Sequence, residues 1–489
     1  MALPGHKTKI VATVGPACQS QEMLGRLILA GMNIARLNFS HGDFAGHAAY
    51  IERIRAAARA AGRRVAIMAD LPGPKMRIGE IAGGAVQLER GASFTLTTRP
   101  IVGDISRVSV SFTRLPGAVK PGNVLFLNDG LVQLEVERVD GPDVHCKVLA
   151  GGELRSRKGL NLPGIELDIS AFTDRDRECL KFAVEHGVDA VSQSFVQRAA
   201  DVHAVRAAAR SFGADPFIIA KIERGAALER LDEILDAADG VMVARGDLGV
   251  EVPLEQIALI QKRIVARANL AGKPVIIATQ MLESMVSSRL PTRAEATDVA
   301  NAILDGADCV MLSAESAMGS YPEEAVAMLA KIAAFTEQHR APVHARDARA
   351  EPPVTDAPPS AAQAIASVVE QALHAVPCAA VFVPTRTGTT ARMISRFNPP
   401  VWIIAMSSND AVCQSLVFSW GVHPVLVQEE PADWSAAASE WLAGEGLENR
   451  WAMLVTGPST RHPEANYRIE FIPPRQTHGE EARAENWHG

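Results

Sequence analysis

A lysine and two carboxylates follow two apolar segments near the middle of the chain. Residues 218–223 (IIAKIE) are typical of a buried strand, on which Lys221 and Glu223 point to the same face. A second apolar segment, residues 241–244 (VMVA), leads to Asp247. If the two strands are parallel neighbours, Asp247 lies beside Glu223, and two such carboxylates repel each other unless a cation separates them. Oxygen ligands suit Mg²⁺ or Mn²⁺, and the ammonium group suits an anionic substrate such as a phosphate. A structural salt bridge is the alternative.

The composition limits the classes of protein to which the chain can belong. Its 489 residues exceed what one compact core usually holds, so several domains are expected. A net charge of −7, from 49 basic and 56 acidic residues, offers no basic face to nucleic acid or to an anionic membrane. No apolar segment approaches the length of a membrane span, and residues 1–15 lack the apolar core of a signal peptide. The six cysteines lack the spacing of a zinc site or a disulfide framework. We therefore expect a cytoplasmic protein that binds neither nucleic acid nor membranes.

Short apolar segments alternate with Ala-rich segments of helical periodicity, and this alternation predicts βα units with a parallel sheet. The predicted strands are residues 9–14, 33–39, 65–71, 190–195, 217–223, 241–247, 275–280 and 309–314. Eight such strands fit a closed (β/α)8 barrel, a TIM barrel, better than an open sheet. The predicted fold class is therefore α/β.

Polar residues stand at the C-terminal ends of nearly all these strands, and a barrel brings those ends together at one mouth, where active sites of this fold lie. Capping of strand-to-helix turns explains any single Asn, Ser or Asp, but not a lysine together with several acids. The residues are Asn38, Ser40, His41, Asp70, Ser194, Lys221, Glu223, Asp247, Thr279, Gln280, Ser313 and Glu315.

The residue pattern changes in two places: after the third predicted strand, and again at residues 341–359, which are rich in Pro, Asp and Ala. Five short, partly alternating segments, separated by Pro-Gly, Asp-Gly and Gly-Gly pairs, predict a small inserted β-barrel domain. They are residues 94–98, 108–112, 124–128, 131–139 and 144–149. Because this domain emerges at the mouth, we expect a lid that excludes water. The predicted boundaries are 1–71 and 161–340 for the barrel, 72–160 for the lid, 341–359 for a linker, 360–474 for a C-terminal α/β domain and 475–489 for a tail.

One loop of the C-terminal domain joins a predicted strand to the start of a predicted helix. Its hydroxyls, guanidinium and backbone N–H groups could cradle a phosphate, although an ordinary helix cap explains the same residues about as well. The loop consists of Thr385, Arg386, Thr387, Gly388, Thr389 and Thr390.

Seven motifs extend the site residues into a longer series. They are GMNIARLNFSHG (31–42), KGLNLPG (158–164), KIE (221–223), MVARGDLG (242–249), ATQMLESM (278–285), PTRAE (291–295) and DVANAILDGAD (298–308). In their order and spacing the chain resembles the pyruvate kinase family, over nearly its whole length. The resemblance implies the last step of glycolysis, in which phosphoenolpyruvate, ADP and a proton give pyruvate and ATP.

The resemblance also implies roles for the residues at the mouth. Lys221 would neutralise charge on the phosphoryl group and on the enolate oxygen, and Arg36 would contact the phosphoryl group. Glu223 and Asp247 would hold Mg²⁺, and a second Mg²⁺ would arrive with ADP. The Gly246–Asp247 backbone and Thr279 would receive the substrate carboxylate, and Thr279 would help to deliver the proton. The residues that would face the nucleotide are Asn38, Phe39, Ser40, His41, Arg77 and Lys158.

One segment departs from the best-known form of the family. Potassium-dependent members read Asp-Thr-Lys-Gly-Pro-Glu where this chain has residues 70–75 (DLPGPK), and the potassium-independent branch resembles this chain. A monovalent cation site could still be assembled from Asn38, Ser40, Asp70 and the Leu71 carbonyl. However, Lys75 places a cation where K⁺-dependent members have a carboxylate, so we expect activity without added K⁺. A solvated surface lysine is the alternative.

Two other functions are compatible with parts of this sequence. A metal-dependent lyase acting on a pyruvate enolate could use the same barrel, but it would not need the lid, Arg77 or Lys158. A non-catalytic metabolite sensor would usually lack Lys221, an acidic ligand or Thr279, and all are present. Relatives are usually homotetramers, and in relatives the 385–390 loop binds a regulatory phosphate, so a homotetramer and a phosphorylated effector of unspecified identity are expected.

Overall fold

The computed structural model describes residues 3–165, 169–340, 360–458, 464 and 466–475. The chain forms two compact units. One unit contains residues 10–328, and the other combines the N-terminal segment up to residue 9 with the chain from residue 329 onward.

The first unit begins with two βα repeats and a third strand. These elements are β1 (Lys9–Thr13), α1 (Gln21–Ala30), β2 (Met32–Asn38), α2 (Phe44–Ala61) and β3 (Ala66–Leu71). Side-chain caps define where the helices begin, since Ser20 accepts from the Met23 N–H and Asp43 from the Gly46 N–H. Gly62 ends α2 in the left-handed conformation.

The chain then leaves the barrel to form the inserted domain. Its elements are β4 (Ala85–Leu88), β5 (Ser93–Thr97), β6 (Arg107–Ser109), α3 (Leu115–Ala118), β7 (Val124–Leu127), β8 (Val132–Asp140), β9 (Asp143–Ala150), β10 (Gly152–Arg155) and β11 (Leu160–Asn161). Six of the strands form one sheet in the order β11-β7-β8-β9-β5-β6, and β10 pairs with β4. Isolated bridges from Arg77 to Gly159 and from Ile78 to Val110 connect the two edges of the larger sheet. The sheet encloses a core of Leu, Val and Ile side chains.

The chain returns to the barrel and completes it. The elements are α4 (Asp174–Glu185), β12 (Ala190–Gln193), α5 (Ala199–Ser211), β13 (Phe217–Ile222), α6 (Gly225–Glu229), α7 (Leu231–Ala237), β14 (Gly240–Ala244), α8 (Arg245–Glu251), α9 (Ile257–Ala271), β15 (Val275–Ala278), α10 (Arg293–Asp305), β16 (Cys309–Leu312), α11 (Ala314–Ala317) and α12 (Pro322–His339). Two short 3-10 helices, Leu254–Gln256 and Glu283–Val286, lie between them. The eight parallel strands close in the order β1-β16-β15-β14-β13-β12-β3-β2, which confirms the predicted barrel.

The predicted strands were too long at the ends that carry the chemistry. The segment 241–247 was predicted as one strand, but β14 ends at Ala244 and Asp247 lies in the first turn of α8. An apolar strand runs directly into a helix here, without a turn residue to separate them. The inserted domain was predicted with five strands, and the short β4, β10 and β11 were missed.

The second unit contains an open sheet. Its elements are α13 (Ala361–Ala375), β17 (Ala380–Pro384), α14 (Thr389–Ser395), β18 (Trp402–Ser407), α15 (Asp410–Leu416), β19 (Val422–Leu426), α16 (Trp434–Gly444), β20 (Ala452–Thr456) and β21 (Arg468–Ile472). The strand order is β19-β18-β17-β20-β21, with β21 antiparallel. The predicted α/β character is confirmed. The predicted linker and the tail beyond Arg475 lie outside the described residues, and the predicted domain boundaries stay predictions.

The N-terminal segment packs into this second unit. The Glu337 carboxylate accepts hydrogen bonds from the backbone N–H groups of Lys7 and Thr8, both at 2.7 Å, and from the Thr8 hydroxyl at 2.6 Å. The Lys9 ammonium donates to the Val422 carbonyl and lies 5.1 Å from the ring centroid of Trp402. In the described ranges, no helix is long and apolar enough to cross a membrane.

Candidate active site

A cavity opens at the C-terminal ends of the barrel strands. Most of the polar residues predicted to meet at the mouth do line it, together with residues of the lid connection. The lining residues are Arg36, Asn38, Ser40, His41, Asp70, Pro72, Lys75, Arg77, Ser194, Phe195, Lys221, Glu223, Met242, Ala244, Asp247, Ala278, Thr279, Met311 and Ser313. Side chains contributed by different strands therefore form one site.

The Lys221 ammonium lies at the centre of this site. Its Nζ is 2.9 Å from Glu223 Oε1 and 3.3 Å from Asp70 Oδ1, and it donates to the Ser194 hydroxyl at 2.8 Å. Burial alone would lower the pKa of Lys221, but the carboxylates of Asp70 and Glu223 raise it above its usual value. The lysine is therefore a cation at neutral pH.

Asp70 holds Arg36 as well as Lys221. The Arg36 Nε donates to Asp70 Oδ2 at 2.9 Å, and its NH2 forms a further contact with the same oxygen. Asp70 Oδ1 accepts from the Ser192 hydroxyl at 2.7 Å. Burial acts to raise the pKa of Asp70, but Lys221, Arg36 and these hydrogen bonds outweigh it and lower the pKa to about 2. On its other side, Arg36 NH1 donates to the Thr13 hydroxyl at 2.9 Å.

Glu223 and Asp247 supply the predicted carboxylate pair. Glu223 is almost fully buried, with Oε1 on Lys221 and Oε2 accepting from the Phe195 N–H at 2.8 Å. Burial raises the pKa of Glu223, and the negative charge of Asp247 raises it further, while Lys221 opposes both. A buried carboxylate and a partly buried one that repel each other fit the requirement for a divalent cation.

Thr279 has an unusual backbone conformation. Thr279 and Gln280 follow β15 with φ angles of 69° and 54°, in the left-handed region. Such a conformation costs about 1–3 kcal/mol for a residue other than glycine. The Thr279 hydroxyl accepts from the Gly246 N–H at 2.8 Å and donates to the Ala278 carbonyl at 2.6 Å. The hydroxyl and the first turn of α8 are therefore held together.

The predicted nucleotide-facing residues divide into two groups. Asn38, Ser40, His41 and Arg77 line the cavity. Burial and the cations Arg77, Lys75 and Arg36 lower the pKa of His41, so its imidazole is neutral at pH 7. Phe39 and Lys158 are not among the lining residues.

Phe39 and Lys158 have other surroundings. Phe39 is buried, with its ring centroid 4.6 Å from that of His47. The Lys158 backbone carbonyl accepts from the Ile78 N–H at 2.9 Å, so this lysine belongs to the lid beside Arg77.

Lys75 lies at the same mouth as the residues of the predicted monovalent site. It is an exposed residue that lines the cavity, in the segment that leads from β3 into the lid. Asn38 Oδ1 accepts from the Ser40 N–H at 3.1 Å. Both oxygens of Asp70 already contact cationic groups, and the Leu71 side chain is fully buried.

The predicted effector loop lies in the second unit. Thr385 and Arg386 line a cavity of about 880 Å³ there, together with Trp434 and Arg468. The Thr385 hydroxyl accepts from the Gly388 N–H at 2.8 Å, and the hydroxyls of Thr387 and Thr389 hydrogen-bond at 2.9 Å. Thr387, Gly388, Thr389 and Thr390 are not among the residues that line the cavity.

Sequence reasoning missed three residues that hold the site together. Ser192 lies two positions before Ser194, so the period of a strand could have placed both on one face. Thr13 is a hydroxyl in an otherwise apolar strand. Phe195 has a left-handed φ of 59°, for which the sequence offers no signal.

A closed barrel with a lysine between carboxylates at its mouth, beneath an inserted domain, defines an enzyme that acts on an anionic substrate. Comparison with known proteins gives the particular family. Residues 5–326 match the family model described as pyruvate kinase, barrel domain, and residues 363–455 match pyruvate kinase, alpha/beta domain.

Individual relatives agree with the family models. The chain is 50% identical over 429 residues to a pyruvate kinase of Thermococcus litoralis, covering 88% of this chain and 90% of that protein. It is 44% identical over 443 residues to the human pyruvate kinase PKLR, covering 87% and 76%. A crystal structure of a pyruvate kinase from Cryptosporidium parvum matches with a TM-score of 0.88 at 37% identity, covering 96% and 97% of the two chains.

The chain belongs to the pyruvate kinase family. Its reaction is the transfer of the phosphoryl group of phosphoenolpyruvate to ADP, which gives pyruvate and ATP. This assignment replaces the lyase alternative.

Proposed function

We propose that the cavity at the barrel mouth is where phosphoryl transfer takes place, with Lys221 and Arg36 as the cations that meet the phosphoryl group. The observation that carries the proposal is the Lys221 ammonium, held by Asp70, Glu223 and Ser194 inside one cavity. Phosphoryl transfer depends mainly on positioning and on fixed charge, and both cations are fixed by buried partners. Lys221 would also stabilise the enolate oxygen that the phosphoryl group leaves.

The carboxylate pair suits a divalent cation. Within the described residues, Asp, Glu, His and Cys side chains form no group of three or more that could hold a metal ion. Glu223 and Asp247 would therefore hold Mg²⁺ or Mn²⁺ together with oxygens of the substrate and water. The bound cation would neutralise charge that develops on the substrate oxygens.

The Gly246–Thr279 side of the cavity would receive the substrate carboxylate. Because the Gly246 N–H donates to Thr279, the following backbone N–H groups in the first turn of α8 would be the donors for an anion there. The Thr279 hydroxyl, or a water that it holds, would deliver the proton to the enolate carbon. On the opposite side, Asn38, Ser40, His41 and Arg77 would contact ADP, and lid movement would bring Lys158 towards it.

K⁺ is not required in this proposal. Asp70, the acid of the alternative monovalent site formed with Asn38, Ser40 and the Leu71 carbonyl, is occupied by Arg36 and Lys221. Lys75 supplies a positive charge at the same mouth.

Regulation, assembly and location form a separate part of the proposal. A phosphorylated effector would bind at the Thr385–Thr390 loop, and titration of sugar phosphates and AMP against the enzyme would identify it. The enzyme would be cytoplasmic and a homotetramer, and analytical ultracentrifugation would check the homotetramer.

The test of the catalytic proposal is pyruvate formation from phosphoenolpyruvate, ADP and Mg²⁺ by the wild type and by Lys221→Met. Loss of one preorganised charge of this kind should lower kcat by about 10² to 10³ or more. Lys262→Met is the matched control, because Lys262 pairs with Asp305 on the outer helices and its side chain is half exposed. A Lys221→Met enzyme with wild-type kcat would refute the assigned role.

A further inference from the structure

Arg245 begins α8, next to Gly246, but it is not among the residues that line the cavity. Its side chain extends to the loop after β15 instead. The guanidinium NH2 donates to the Thr279 carbonyl oxygen at 2.8 Å, and NH1 donates to Asp298 Oδ1 at 2.8 Å. The Arg245 side chain is only 11% exposed, so its guanidinium lies largely out of competition with water, although the Asp298 side chain is 36% exposed.

The residue that Arg245 contacts is the one with the strained backbone. Thr279 and Gln280 both have left-handed φ angles, which a β-branched residue such as threonine adopts only when its surroundings impose them. Arg245 fixes the Thr279 carbonyl, and the Gly246 N–H fixes the Thr279 hydroxyl at 2.8 Å. Adjacent residues of α8 thus hold Thr279 at two points, one on its backbone and one on its side chain.

A planar guanidinium is suited to this position. It can donate to two acceptors in fixed directions at once, whereas a lysine ammonium is a shorter, rotating donor. Asp298 on α10 supplies the second acceptor, with its Oδ2 2.6 Å from Arg245 NH1. The carboxylate therefore sets the plane of the guanidinium, and the guanidinium sets the Thr279 peptide.

We propose that Arg245 is a positioning residue for the substrate-carboxylate and proton-delivery side of the site. It acts through Thr279 without touching the substrate, and Asp298 orients it. The proposal rests on the role proposed above for Thr279. Without Arg245, the loop after β15 would relax and the Thr279 hydroxyl would leave the position at which it meets the enolate carbon.

The test is a double-mutant cycle between Arg245→Met and Thr279→Val, measured as kcat and as KM for phosphoenolpyruvate and ADP. Small displacements of catalytic groups cost up to about 10² in rate, so Arg245→Met should lower kcat by about tenfold or more. KM for ADP should stay within about twofold, because the nucleotide side is unchanged. In the Thr279→Val background, Arg245→Met should cause less than about a twofold further loss, because its target is already absent.

Controls separate this role from general stabilisation. Arg267→Met removes a comparable ion pair, to Asp232 on the outer helices, and should leave kcat unchanged. Arg245→Lys should recover part of the lost kcat, because one of the two bonds can re-form. Asp298→Asn keeps the shape of the side chain and should lower kcat in the same direction, so it serves as the test if Arg245→Met does not fold.

Three results would overturn the proposal. The first is an Arg245→Met enzyme with kcat within twofold of the wild type. The second is a double mutant whose loss in kcat equals the product of the losses of the two single mutants. The third is a rise in KM for ADP as large as the rise in KM for phosphoenolpyruvate, which would indicate a general disturbance of the site. A Thr279→Val enzyme with normal kcat would instead refute the role of Thr279, whatever the Arg245 variants show.

Discussion

Asp70 binds two cations at once, and this arrangement shows what individual side chains do at the mouth. This buried carboxylate contacts Arg36, Lys221 and Ser192, and its pKa is lowered to about 2, so it stays ionised at any pH well above 2. Its folded pKa is below the usual value of 3.8, so its contribution to stability is present above pH 3.8 and is lost as the pH falls through about 2. Both cations of the site therefore keep their partner throughout the physiological range.

Lys75 supports a prediction at the same scale. Lys75→Glu replaces the positive charge at the mouth with a carboxylate, so kcat should come to depend on added K⁺ by more than about tenfold, or roughly 1.4 kcal/mol. The measurement is kcat in K⁺ and in a large organic cation such as tetramethylammonium. Lys120→Glu, at an exposed lysine of the lid, should show no such dependence. A wild-type enzyme whose own kcat rises more than about tenfold on addition of K⁺ would contradict the prediction that Lys75 makes K⁺ unnecessary.

Some of the site could be predicted from the sequence, and the limit is physical. Lys221 and Glu223 share a face because strands have a period of two, so their meeting follows from spacing alone. The contact of Asp70 with Arg36 depends on the register between β2 and β3, in which Asp70 pairs with Asn38. The left-handed φ angles of Phe195 and Thr279 depend on their neighbours and leave no mark in a single sequence.

At the scale of elements, the connection from β3 to the lid passes close to the Glu223 side of the site. Gly73 has a φ of 64°, and its N–H donates to Asp176 at 2.9 Å. A Cβ at Gly73 would lie 2.8 Å from the ring of Phe195, whose N–H donates to Glu223. The lid connection and a candidate metal ligand therefore share one neighbour.

Gly73→Ala should disturb the site as well as the backbone. The left-handed φ costs about 1–2 kcal/mol for alanine, and the contact with Phe195 adds a displacement of the group that binds Glu223. We expect kcat/KM for phosphoenolpyruvate to fall by about tenfold or more and the Mg²⁺ concentration for half-maximal rate to rise. Gly83→Ala is the matched control, since Gly83 has a φ of 72° in the lid with nothing within 4 Å. Equal effects of the two substitutions would show that the contact with Phe195 is unimportant.

Element boundaries were harder to predict than element types. The eight barrel strands were all found, because each is apolar and followed by helical periodicity or, after β3, by the inserted domain. The predicted end of β14 was wrong, because the strand VMVA is followed directly by the α8 segment RGDLGVE, with no turn residue between them. The short lid strands β4, β10 and β11 were missed.

At the scale of the whole molecule, the two ends of the chain belong to the same compact unit. The N-terminal segment is attached by three hydrogen bonds to Glu337 and by the contacts of Lys7 and Lys9 with Trp402. All six tryptophans of the chain lie between residues 402 and 487, so tryptophan fluorescence reports on the C-terminal part of the chain.

Glu337→Ala should weaken that unit. Removing an acceptor of three hydrogen bonds leaves the Lys7 and Thr8 donors unpaired, and we expect a loss of about 2–4 kcal/mol in the free energy of unfolding. The measurement is urea unfolding followed by tryptophan fluorescence. Glu440→Ala, at an exposed position of α16, should change the free energy of unfolding by less than about 0.5 kcal/mol. A similar midpoint for both variants would show that the N-terminal segment contributes little.

The insertion of the lid between β3 and β12 also determines the order in which strands can pair during translation. These strands pair in the barrel, with Asp70 opposite Ser192, yet they are separated by roughly 120 residues, which a ribosome takes about 6 to 24 s to add. The last seam, between β1 and β16, must wait for roughly 300 residues, or about 15 to 60 s. Most strands of the lid pair with neighbours that emerge within a short interval. We therefore expect the inserted domain to complete its own sheet on the ribosome while β1 still lacks β16 and β3 still lacks β12.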